Sequence, residues 1–165
     1  MDWQQLLVIE PFTWPAIGTA LLCGTLVGFE RQMRGKPVGI RTSSLITLGT
    51  YLFIVGAASV MTEATDPSRI IGQVITGIGF LGAGVMLARD GVVVGVTSAA
   101  TIWALASIGV AIGLGHLETS IKLSVVVVGV LFGVDLMEDY FQSLTRGVHK
   151  KYKGWKTSFR RDKQG

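Results

Sequence analysis

The chain alternates between long apolar stretches and short polar connections. Five stretches stand out: Phe12 to Phe29, Thr42 to Met61, Ile70 to Ala88, Gly95 to Leu114 and Ser120 to Met137. Each runs for about 18 to 20 residues, the length a helix needs to cross a hydrocarbon core about 30 Å thick. None carries the polar stripe that a surface helix of a soluble bundle shows at 3.6-residue spacing. The pattern predicts an all-α integral membrane protein, a bundle of five transmembrane helices. The fifth stretch holds Lys122 and Asp135 inside its ends, where a lysine can snorkel to the headgroups. Local signals fix two boundaries. In "DPSR", Asp66 supplies an N-capping carboxylate and Pro67 suits a first helical position, which starts span three. In "RGKPVG", Pro37 cannot continue a helix, so Arg34 to Gly39 reads as a turn. The opening "MDWQQLL" lacks the positive region of a cleavable signal. The expected organisation is a membrane domain over residues 1–137 and a basic tail over 138–165.

Charge gives the bundle a direction. Only 16% of the 165 residues are charged, and eight of the 15 Lys and Arg lie between Arg146 and Lys163. The remainder is too sparsely charged to form the outer shell of a soluble domain. Arg31, Arg34, Lys36 and Arg41 cluster after span one, Arg89 follows span three, and the tail holds its eight; Arg69 and Lys122 fall in the alternate connections. The positive-inside rule therefore places the N-terminus outside and the C-terminus in the cytoplasm. Cys23 is the single cysteine, so no internal disulfide is available, and its apolar surroundings predict a buried, inert thiol.

Gly77, Gly79 and Gly82 spell G-x-G-x-x-G, the spacing that cradles a dinucleotide pyrophosphate. That fingerprint must follow a strand and open a helix. Here it lies inside an apolar run, between Ile70, Ile71, Val74 and Ile75 on one side and Val85, Met86 and Leu87 on the other. No polar entrance exists for a phosphate. In lipid, helices associate through close backbone approach, which small residues permit. Gly72, Thr76, Gly79 and Ala83 recur along one face of span three, with Gly77, Gly82 and Gly84 on adjacent faces; Gly24 and Gly28 repeat the device in span one, Gly109 and Gly113 in span four. This places span three at the centre of a compact bundle.

Polar groups at membrane depth are costly and point to function by default. The candidates are Glu30 and Arg31, Arg41 and Thr42, Gln73, Thr97, Ser98 and Thr101, and Asp135. Under the topology above, Glu30, Arg41, Thr97 and Asp135 share the cytoplasmic side, where they can meet in one shallow cluster. The plainer reading makes them interfacial: threonine hydroxyls bond back to helix carbonyls, and a Glu30–Arg41 ion pair locks loop one. Both readings stay open at this point. Mg²⁺ prefers octahedral oxygen coordination, yet of the 11 acids only Glu30 and Asp135 approach the hydrocarbon. No cofactor or firm metal site is expected, and a weak association with Mg²⁺ stays open. The sequence has no H-E-x-x-H, G-x-S-x-G, Walker A or Cys/His cluster, and His116 and His149 fall in a loop and the tail. It offers no catalytic constellation.

The tail interleaves Lys150, Lys151, Lys153, Lys156, Arg160 and Arg161 with Val148, Tyr152, Trp155 and Phe159. On a helix this gives an aromatic stripe flanked by bases, suited to an anionic leaflet. Gly147 and Gly154 weaken such a helix, and a plain positive-inside tail or a nucleic-acid contact shares the composition. The leaflet reading is preferred, and no nucleic acid is expected as a partner.

The segments "GTLVGFERQMRGKPVGIRTSSLITLGTYLF", "DPSRIIGQVITGIGFLGAGVML" and "VVGVTSAATIWALASIGVAIGLG" together resemble the membrane domain of the MgtC/SapB family, over roughly Gly18 to Gly115. The resemblance implies a bacterial inner-membrane protein of about five spans. Members are linked to growth in low magnesium and to magnesium transport systems, some as regulators of other membrane machines. The family pattern carries onto Glu30, Arg31, Gly39, Arg41, Thr42, Arg69, Gln73, Gly77, Gly79, Gly82, Gly84, Thr97, Ala99, Ala100 and Trp103, while Ser98 stands where threonine is commoner. Longer relatives continue into a soluble cytoplasmic domain, in place of which this chain has its basic tail. The expected function is a non-enzymatic, self-associating factor of magnesium homeostasis that acts on a partner membrane protein. The alternative is a transporter or channel with a path between spans one, three and four.

Overall fold

The computed structural model describes residues 7–62, 66–89 and 92–140. Five helices follow one another: α1 Trp14–Met33, α2 Ile40–Ala58, α3 Pro67–Gly84, α4 Val96–Gly113 and α5 Leu117–Tyr140. Three of them, α2, α4 and α5 over Leu117–Val134, are long and apolar enough to cross a membrane. The other two match the required length, with 20 residues in α1 and 18 in α3. They are more polar, because α1 ends on Glu30 and Arg31 and α3 carries Arg69, Gln73 and a run of glycines.

The all-α class holds, with one short element added to it. Between α3 and α4 lies a two-stranded antiparallel ladder, β1 Leu87–Arg89 and β2 Val92–Val94, paired Leu87 with Val94, Ala88 with Val93 and Arg89 with Val92. The third apolar stretch therefore leaves the helix at Gly84 and does not continue to Ala88. Three consecutive valines favour extended backbone over helix, since their branched side chains lose rotamer freedom against a preceding helical turn. The turn into α4 then depends on Gly95, whose φ of +92° suits a residue without a Cβ. A Cβ there would also collide with the Val85 carbonyl oxygen.

Sequence signals at the other ends act as expected. The Asp66 side chain accepts from the Ser68 N–H at 2.9 Å, with Pro67 opening α3. The Arg34 to Gly39 segment turns back through Gly35 and Val38, both at positive φ.

The chain divides into two compact units, residues 1–128 and 129–165. In the first, α1, α2 and α4 enclose the core. Ala16, Ala20 and Cys23 of α1 meet Tyr51 of α2 and Ile108 and Ile112 of α4, and Leu117, Ile121 and Val127 of α5 cover part of this cluster. Cys23 is buried, as its setting in the sequence predicts. Tyr51 closes the far end: its ring meets Phe12 edge-on with centroids 6.2 Å apart, and its hydroxyl accepts from the Thr13 N–H at 3.0 Å.

Four glycines set the helix spacing in this core. A Cβ on Gly24 would lie 2.5 Å from Ser44 Cα, and one on Gly28 would lie 2.6 Å from Ile40 Cα. On α4, a Cβ at Gly109 would stand 2.6 Å from the Thr47 carbonyl oxygen, and one at Gly113 would stand 2.6 Å from Ile54 Cγ2. Real Cβ atoms do not approach so closely, so α1 and α4 each touch α2 through backbone.

Span three is placed differently from the expectation. A Cβ added at Gly72, Gly77, Gly79 or Gly84 would meet nothing within 4 Å among the described residues, whereas one at Gly82 would meet Ala99 at 3.7 Å. Within the single chain, α3 packs on α4 and lightly on α2, and the centre is α2 instead. The three- to four-residue glycine spacing defines faces that accept close neighbours; it does not say whether those neighbours belong to the same chain.

Candidate functional site

Helix α1 carries its apolar face through to Val27 and Gly28 and then presents Glu30 and Arg31, both buried, at 7% and 3% exposure. Charges are buried this deeply only where something compensates them. For Arg31 the partner is on α4: Nη2 donates to Ser98 Oγ at 2.8 Å, and Ser98 is itself buried. This bond joins the end of α1 to the first turn of α4, across 67 residues of sequence.

Glu30 finds its counter-charge one helical turn ahead. Arg34 Nε lies 2.8 Å from Glu30 Oε1, with Arg34 a quarter exposed and Glu30 nearly enclosed. The contact is an ion pair without hydrogen-bond alignment. Both carboxylate oxygens of Glu30, and Nε of Arg31, are buried without a hydrogen-bond partner among the described residues. The expected Glu30–Arg41 pair is thus replaced by Glu30–Arg34, and Arg41 is exposed at the start of α2. The i,i+4 spacing of Glu30 and Arg34 on one helix is the signal that identifies the real partner.

Behind this cluster runs a file of buried hydroxyls on α2, at Ser43, Thr47 and Thr50. Ser43 Oγ donates to the Val38 carbonyl at 3.0 Å, Thr47 to Ser43 at 3.1 Å and Thr50 to Ile46 at 2.8 Å. Thr101 on α4 does the same to Thr97 at 2.8 Å. These hydroxyls are spent on nearby main-chain carbonyls, on their own helix for Thr47, Thr50 and Thr101 and in the preceding turn for Ser43, the interfacial reading of such residues. Ser43, Thr47 and Thr50 lie outside the candidate set that the sequence suggests, although their i, i+4, i+7 spacing marks one helical face.

Of the remaining candidates, Thr42, Arg69, Gln73, Thr97 and Trp103 are exposed on their helices and stand outside the cluster. Asp135 lies on α5, but its side chain is outside the described part of the structure. The tail candidates Lys150, Lys151, Lys153, Trp155, Lys156, Arg160 and Arg161 also lie outside the described residues. Among the described residues no three His, Cys, Asp or Glu side chains are grouped to hold a metal ion. The geometry thus provides one buried, charged junction between α1 and α4 beside a close-packed interior.

Comparison with known proteins adds a family and relatives. The family model described as "MgtC family" matches residues 17–140. The chain is 44% identical over 140 residues to a protein of Escherichia coli (strain K12) described as "Putative magnesium transporter YhiD", covering 81% of this chain and 62% of that protein. It is 41% identical over 108 residues to "Protein MgtC" of Salmonella typhimurium (strain LT2), covering 66% of this chain and 46% of the relative. With "Protein MgtC" of Brucella abortus (strain 2308) it shares 36% identity over 150 residues, 90% of this chain and 61% of the relative. The chain thus spans between about half and three-fifths of the length of these relatives. No solved structure matches it.

Proposed function

The chain belongs to the MgtC family, and from that membership we propose that it is a non-enzymatic protein of the bacterial inner membrane that serves magnesium homeostasis by assisting or regulating a partner transport system. In this reading all five helices cross the bilayer. The N-terminus is outside and the C-terminus cytoplasmic, with the basic tail set against anionic headgroups. No resident cofactor is required.

The observation that carries the reading is the contrast between interior and exterior. The α1–α2–α4 interior is closed by tight contacts at Gly24, Gly28, Gly109 and Gly113, and the hydroxyls of Ser43, Thr47 and Thr50 donate to main-chain carbonyls four or five residues earlier. A lumen for a hydrated cation would have to separate those contacts. On the exterior, α3 leaves open space beside Gly72, Gly77, Gly79 and Gly84 and exposes the Gln73 amide. Such a surface suits another membrane helix, because small residues allow close approach and an amide in lipid gains from a hydrogen-bonding partner. Self-association and contact with a partner membrane protein both belong to this surface.

The test is growth of a deletion strain across a range of magnesium concentrations. The expected result is a growth defect confined to low magnesium and restored by the chain. Equal growth with and without the chain at every magnesium concentration contradicts the proposal.

A further inference from the structure

Among the described residues, three buried polar atoms on two consecutive residues near the end of α1 have no hydrogen-bond partner. They are Glu30 Oε1 and Oε2, which accept, and Arg31 Nε, which donates. Buried groups of this kind are nearly always satisfied in folded proteins, by ordered water where the protein does not supply the bond.

The chemistry of the site discriminates among occupants. Glu30, Arg31 and Arg34 together carry one net positive charge, which disfavours an added cation. The Glu30 carboxylate, neither of whose oxygens is hydrogen-bonded, disfavours an anion. What both sides accept is a neutral molecule that donates to the carboxylate and accepts from the guanidinium. We infer that the Glu30–Arg31 junction binds water, forming a hydrated pocket that extends the aqueous phase into the end of the bundle as far as the Arg31–Ser98 bond. Arg34 marks its entrance, since this side chain reaches from partial exposure, 25%, to its contact with the enclosed Glu30. Hydration also accounts for the burial of two adjacent charges at the end of a membrane helix, because water supplies the bonds that hydrocarbon cannot. The inference goes beyond the proposed function and rests on its placing of α1 across the bilayer.

The test uses the full chain in lipid bilayers with nitrogen-15-labelled arginine, the Arg31 Nε resonance being assigned by its loss in Arg31→Lys. Water-to-protein magnetisation transfer is then measured at that resonance and compared with exposed Arg41. The expected result is transfer to Arg31 Nε of at least half the Arg41 intensity, with no change of shift on adding MgCl₂ or inorganic phosphate. A signal below one half of the Arg41 intensity means a dry site and overturns the inference. A shift that saturates with MgCl₂ or phosphate means an ion is the occupant and overturns it equally. Glu30→Leu provides a second readout: removing the carboxylate should reduce the Arg31 transfer at least twofold, whereas undiminished transfer removes Glu30 from the pocket and overturns the inference as stated. If Glu30→Leu does not fold, Glu30→Gln takes its place, with transfer retained because the amide oxygen still accepts from water; its loss there contradicts the pocket.

Discussion

Gly28 and Gly77 look alike in sequence but differ in what stands beside them. A Cβ added to Gly28 would come within 2.6 Å of Ile40 Cα, while one added to Gly77 would enter open space. Gly28→Ala should therefore force α1 and α2 apart, at about 1–3 kcal/mol for overpacking against backbone. Gly77→Ala should leave a monomer in detergent as stable or more so, since alanine favours helix over glycine. Thermal unfolding followed by circular dichroism separates the two. The arginines form a similar contrast. Arg31→Ala removes a charged hydrogen bond to Ser98 and should cost about 2 kcal/mol, while exposed Arg41→Ala should stay within about 0.5 kcal/mol of wild type. The polarity of Glu30 and Arg31 is legible in the sequence, but their partners are not. The choice of Arg34 over Arg41 follows from where loop one places each guanidinium, and the bond to Ser98 from a helix contact that no local pattern encodes.

At the scale of elements, helix positions follow from hydropathy, while the hairpin between α3 and α4 does not. A window of 18 or more residues averages Leu87 to Val94 into its apolar flanks, although the sequence Asp90-Gly91 before three valines is a hairpin signal. The position of α3 escapes the sequence for a different reason: hydropathy reports that a helix meets lipid or protein without distinguishing them. Two predictions belong to these elements. Gly95→Ala should destabilise the α3–α4 connection, because its φ is +92° and the new methyl meets the Val85 carbonyl oxygen; a lower melting temperature than wild type checks this. The Asp66 carboxyl is held below its ordinary value of 3.8, first by the Ser68 N–H and then by the Ser68 hydroxyl. A depressed folded pKa contributes stability that is present above the unfolded value and is lost as pH falls through the folded one. Wild type should therefore melt higher than Asp66→Ala at pH 6, and the gap should close as pH falls below about 4.

For the whole molecule, class and family are readable from the sequence, and the structure adds the arrangement: a core of α1, α2 and α4 partly covered by α5, with α3 to one side. The proposed orientation is checked by single cysteines introduced at exposed Lys36 and His116 in a Cys23→Ala background. A membrane-impermeant thiol reagent should reach Lys36→Cys only from the cytoplasm and His116→Cys only from outside. On the proposed reading this close-packed bundle acts on another membrane protein and does not itself conduct magnesium. Magnesium uptake into sealed liposomes containing the purified full chain, with an inward Mg²⁺ gradient and a trapped fluorescent indicator, tests it most directly. Uptake no faster than in protein-free vesicles is the predicted result; saturable uptake that rises with the amount of protein in the membrane would contradict it.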